Sequence, residues 1–181
     1  MPDETPSDIE DETPADPADA GAEPTDTQAQ GEIRERVTRL AFGGDPAKYE
    51  EFVREIASAT PAGVYVILRG SSITGHKHGS DEPFDADGPG TSDLDVTFVG
   101  GDMVMLFREF HIPGIHSVPL SEQHPFASPQ LSPLRRRLCD MAKRPVNLQA
   151  TTSLVQNVRD ATMDQPYLVL LRQPAEEEAG E

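Results

Sequence analysis

Cysteine occurs once in the 181 residues, at Cys139, and tryptophan not at all. A single thiol excludes an intramolecular disulfide and any cysteine-based zinc cage. Long apolar runs are missing as well. No stretch approaches the roughly 18 residues of a membrane-spanning helix, and the acidic N-terminus lacks the apolar core of a secretory leader. A soluble, cytoplasmic protein without membrane contact is therefore expected. Histidine is scarce too: five scattered His give no ligand set of known spacing, so His76 and His78 are expected to be surface residues.

Lys and Arg are absent from residues 1–31, which carry ten acids, and from residues 175–181, which carry four. The whole chain has thirty-two acids against fifteen Lys and Arg, a formal charge of -17, so setting those fourteen acids aside leaves residues 32–174 at -3. The acidity belongs to the ends. In residues 1–31 Ile9 is the only large aliphatic side chain after Met1. Such a segment cannot offset the roughly 1–2 kcal/mol per residue that ordering a backbone costs. We therefore expect a disordered acidic arm over 1–31, one domain over 32–174 and a disordered acidic tail over 175–181. The arm repels phosphates and anionic lipid, which leaves a solubilising tail or a docking arm for a basic partner.

Ile33, Val37 and Leu40 recur at helical spacing, giving a short amphipathic helix over about 32–41 that Gly43-Gly44 stops. Asp45-Pro46 is a cap followed by an N1 proline, and Tyr49, Phe52, Val53 and Ile56 form one apolar stripe to about Ser58. Val64–Leu68 is a continuous apolar run of strand length, and a second strand covers about Leu94 to Val99. Between them Gly70 to Thr91 has no helical stripe and reads as a loop of functional length. A helix over 103–111, a short strand within 115–120, a helix over 134–143, a strand over 145–150, a helix over 152–163 and a last strand over 167–171 complete the pattern. Their order implies a mixed α/β sheet covered by helices.

Two polar pieces stand at strand ends: Arg69-Gly70-Ser71-Ser72 after the first strand, and Ser92-Asp93-Leu94-Asp95-Val96 opening the second. Residues two apart on a strand share a face, so Asp93 and Asp95 project together. Adjacent carboxylates repel unless a cation sits between them, and Mg²⁺ takes one or two carboxylates plus substrate phosphates. The Gly70-Ser71-Ser72 turn offers a polyphosphate close backbone approach and hydroxyl donors.

A strand ending in Gly-Ser, followed by a strand carrying Asp-x-Asp, resembles the signature of the polymerase-beta-like nucleotidyltransferase superfamily, including its minimal and antibiotic-modifying members. The matching residues are Gly70, Ser71, Asp93 and Asp95, and the likeness covers roughly residues 46–100. It implies a nucleotidyltransferase-like mixed sheet. It also implies that Gly70, Ser71 and Ser72 hold the nucleotide's phosphates while Asp93 and Asp95 bind Mg²⁺ and are catalytic. The expected activity is transfer of a nucleoside monophosphate from an NTP, ATP for preference, to an acceptor hydroxyl on a small molecule, a protein side chain or RNA.

The sequence departs from this pattern in two places. His76 to Gly90 reads as an insertion between the two motifs, which loop-closure entropy tolerates. Where the family has a third carboxylate between hydrophobic residues, Val146-Asn147-Leu148 carries an amide. Asn147 brings no charge and cannot act as a base. Either another group serves, Asp140 or Glu109, or the site transfers slowly, or the domain is a catalytically silent module that binds nucleotide or a partner protein.

Other motifs carry less. Gly70 to Lys77 fails as a P-loop because His76 separates Gly75 from Lys77 and no helix can follow, although Lys77 could reach a triphosphate as a point charge. Asp85-Ala86-Asp87-Gly88 fails as an EF-hand because Pro83 and Leu94 would stand where carboxylates are required. Arg135-Arg136-Arg137, with Lys143 and Arg144, forms a basic cluster: a solvated helix face, or a contact for triphosphate or RNA.

Overall fold

The computed structural model describes residues 27–77, 79–153 and 165–172. Two helices, α1 (Thr27–Ala41) and α2 (Pro46–Ser58), precede the sheet. Strand β1 (Tyr65–Arg69) runs into a single helical turn, α3 (Ser71–Thr74), and β2 (Leu94–Val99) into another, α4 (Gly101–Val104). Then follow β3 (Phe110–Ile112), β4 (His116–Ser117), α5 (Ser132–Ala142), β5 (Val146–Thr151) and β6 (Leu168–Arg172). The six strands form one sheet in the order β3-β4-β5-β2-β1-β6. The β2–β5 pair is parallel and every other pair antiparallel, so the expected mixed α/β architecture is present.

The local physics of the helices is plain in α2. The Asp45 carboxylate accepts the Ala47 N–H at 3.0 Å, Pro46 occupies the first turn, and Tyr49, Phe52 and Ile56 bury one stripe. That stripe meets the even-numbered side chains of the central strands. Leu94, Val96 and Phe98 of β2, Leu148 and Ala150 of β5, and Val66 and Leu68 of β1 share one cluster with Phe52, Ile56, Leu134 and Leu138. Burying a side chain of that size contributes roughly 1.5–3 kcal/mol, so this face holds the domain together. The alternate residues of the same strands belong to the opposite face, where Arg69, Asp95, Thr97, Asn147, Gln149 and Thr151 are polar and Tyr65, Ile67 and Val99 are not.

Several expectations need correction. Helix α1 begins at Thr27, so residues 27–31, placed in the arm on composition, are helical. Gln30 explains the earlier start. Its amide donates to the Tyr167 carbonyl and accepts the Val169 N–H, both at 2.9 Å, fastening α1 to the β6 end of the sheet. The rest of the arm and the tail lie outside the described residues, as do His78 and residues 154–163 of the helix expected over 152–163; Thr152 and Ser153 are not helical. The helix expected over 103–111 stops at Val104, because Arg108 N–H turns away to the Ala127 carbonyl (2.8 Å) and Phe110 pairs with Ser117 in β3–β4. The strand expected within 115–120 shrinks to His116–Ser117, joined by an isolated bridge between Leu120 and Leu148.

A polar cleft at the ends of β1, β2 and β5

Register brings the two polar pieces together. Arg69 of β1 lies opposite Asp95 of β2, and Asp95 opposite Asn147 of β5, making one row across three strands. Asp93 precedes β2 by one residue and projects with Asp95. The Asn147 amide nitrogen donates to Asp93 Oδ2 at 2.6 Å and to Asp95 Oδ1 at 3.0 Å. Two carboxylate oxygens thus converge on a single polar point. Desolvation, with the Asp93 charge beside it, holds the Asp95 carboxyl above its ordinary value despite Asn147 and Arg69, which pull it down.

Gly70 is required where it stands. Its φ of +84° is a backbone state that L side chains rarely adopt, and a Cβ there would lie 2.7 Å from Asp95 Oδ2. The turn of β1 into α3 therefore passes directly against the acidic pair. Gly70, Ser71, Asp93, Asp95 and Asn147 all line one cleft of about 670 Å³, a volume typical of small-molecule sites. Ser72 does not join them: it is fully buried, its hydroxyl lacks a hydrogen-bond partner and it is not part of the cleft wall. Lys77 lines the cleft but is already engaged by Asp87 and, at 3.3 Å, by Glu82.

Beside the acids runs a second polar layer. Arg69 donates through Nε to Thr97 Oγ1 at 3.0 Å and through Nη2 to Gln149 Oε1 at 2.8 Å. Gln149 in turn donates to the Ser117 carbonyl at 2.8 Å and meets His116 Nε2 at 2.9 Å. Desolvation lowers the Arg69 pKa against the attraction of Asp95, while desolvation, Arg69 and His111 lower that of His116. This network lies next to the acidic row on the same sheet face, outside the cleft lining, and links it to β4.

Residues 84–92, which lead into β2, are held by a knot invisible in the sequence. Arg144 clamps both oxygens of Asp85 at 3.0 and 3.1 Å, donates to the Ser92 carbonyl at 3.1 Å and lies over the Phe84 ring at 4.7 Å. Asp85 also accepts the N–H groups of Gly90 and Ser92. The chain leading into Asp93 is thereby pinned to the chain leading into Asn147. The basic cluster does not converge on the cleft: Arg144 is buried in the knot, Arg135 donates to the Val146 carbonyl, Arg137 pairs with Glu55 and Arg136 is exposed.

Of the acids offered in place of Asn147, Asp140 is exposed on α5, whereas Glu109 contacts His124, a cleft-lining residue that sequence reasoning missed. Nothing in the spacing of His124 marks it, because its role depends on where β3 and β4 carry the chain. Among the described residues no group of three or more His, Cys, Asp or Glu side chains is placed to hold a metal. The set that does converge is two carboxylate oxygens, donors of the kind a hard cation takes, with the Asn147 amide nitrogen donating to both. Comparison of the chain with family models, curated proteins and solved structures found no match.

Proposed function

We propose that this protein is a Mg²⁺-dependent nucleotidyltransferase that moves a nucleoside monophosphate from an NTP, ATP for preference, to an acceptor hydroxyl. The observation that carries the reading is the convergence of Asp93 Oδ2 and Asp95 Oδ1 on one point within 3.0 Å of Asn147, directly against the Gly70 turn. Asp93 and Asp95 would hold the cation, with the Asn147 amide oxygen as an uncharged third donor once the amide turns over. When bound, Mg²⁺ supplies charge neutralisation for the triphosphate and polarises the phosphate under attack. Gly70 lets the turn pass against Asp95, and Ser71 offers the phosphate chain a hydroxyl. The neighbouring network of Arg69, Thr97 and Gln149 supports the strands that carry the acidic row.

A specific observation favours a second reading, a silent nucleotidyltransferase-like module. Asn147 donates to both carboxylates and so links them without any cation. One experiment separates the two. Wild type and Asp93→Ala are incubated with each NTP, Mg²⁺ and a cell extract as source of acceptor, and pyrophosphate release is followed. Release by wild type alone supports the transferase. Nucleotide binding by calorimetry without release supports the silent module.

A further inference from the structure

The same cleft is also lined by His124, on the turn at residues 121–127, whose Nδ1 lies 3.0 Å from Glu109 Oε2. The turn is tied down: Ser121 Oγ accepts the His124 N–H at 3.2 Å, and the His124 carbonyl accepts the N–H groups of Ser121 and Ala127. The Glu109 backbone is tied as well, its carbonyl accepting the Val118 N–H at 2.9 Å beside the β3–β4 pair. The Leu120–Leu148 bridge then docks this segment one residue from Asn147.

In the tautomer whose Nδ1–H donates to Glu109 Oε2, the Nε2 lone pair of His124 can accept a proton. A carboxylate that fixes an imidazole tautomer is the arrangement of a general base. It supplies what Asn147 cannot. Resting on the nucleotidyltransferase reading, we infer that His124 deprotonates the acceptor hydroxyl, with Glu109 as the positioning residue that orients its ring. As the acceptor oxygen forms its bond to the α-phosphorus, its proton passes to His124 Nε2. The bond from that phosphorus to the bridging oxygen breaks, and pyrophosphate leaves with the electron pair. The imidazolium, steadied by Glu109, returns its proton to solvent.

The test follows transfer from α-labelled ATP with Mg²⁺ and cell extract in the full-length chain, together with MgATP binding by calorimetry. His124→Gln is expected to lower kcat by about 100-fold or more, the usual scale of general-base loss, while KM for MgATP stays within about twofold. In His124→Ala, added imidazole restores part of the rate, which a purely structural role would not allow. Glu109→Gln lowers kcat to a smaller extent, and Glu109→Asp recovers part of it. If wild type transfers label, Asp93→Ala does not, and His124→Gln keeps the wild-type rate, the base assignment is overturned and the transferase reading stands. If wild type binds MgATP yet releases no pyrophosphate, the transferase reading falls, and the base falls with it.

Discussion

Asp85 and Asp95 lie on either side of the same strand entry and are treated in opposite ways. Burial acts to raise both carboxyls. At Asp85 the bidentate Arg144, with the N–H groups of Gly90 and Ser92, outweighs it and leaves the carboxyl below its ordinary value. At Asp95 burial is compounded by Asp93, and the carboxyl stays above it. The Asp85 knot meets its carboxylate with a full charge and several donors, as a structural element should. The acidic row gathers negative charge with one neutral amide and a partly desolvated arginine for company. Incompletely compensated charge facing a cleft is what a cation and a polyphosphate would complete on the proposed reading.

The largest expected effect comes from breaking the compensated side. Arg144→Met leaves Asp85 half-buried without its cation and should destabilise the fold by about 3 kcal/mol, measured by urea unfolding. Gly70→Ala attacks the other side. A methyl at φ +84° set against Asp95 Oδ2 should cost about 2 kcal/mol of stability and abolish pyrophosphate release. Asp95→Asn removes the repulsion within the row. In the presence of a chelator it should raise stability at neutral pH by up to about 1 kcal/mol while destroying transfer, a stability–function conflict typical of sites.

The pH dependence sharpens the contrast further. The stability supplied by Asp85, whose folded pKa is lowered, is present above its ordinary value of 3.8 and is lost as pH falls through the folded value. That tied to Asp95, whose folded pKa is raised, runs the other way: complete below 3.8 and lost as pH rises through the folded value. Chemical denaturation of Asp85→Asn and Asp95→Asn from pH 3 to 8 checks this. The deficit of the first should shrink toward acid, and so should the gain of the second.

Much of this contrast could be read from the chain, and some could not. Strands β1 and β6 announce themselves as apolar runs and β2 and β5 as apolar–polar alternation, and the period-two spacing of Asp93 and Asp95 already places them on one face. Asn147 could be aligned with them because Val146 and Leu148 flank it as a buried strand requires. The Asp85–Arg144 clamp joins residues 59 apart in sequence, and no local pattern encodes such a pairing. Arg144 looked like one more member of a basic cluster, yet its burial beside Phe84 makes it structural. The 103–120 region misleads because Val104, Phe107 and Phe110 keep helical spacing while tertiary pairing with Ala127 and Ser117 draws the backbone out of the helix.

The central claim is that the acidic row is completed by a cation and a triphosphate. The most direct measurement is Mg²⁺-dependent pyrophosphate release from NTP with cell extract, compared between wild type and Asp93→Ala at matched folding. The account predicts release by wild type that requires Mg²⁺ and vanishes in the variant. Equal release by both proteins, or release that persists in excess chelator, would contradict it.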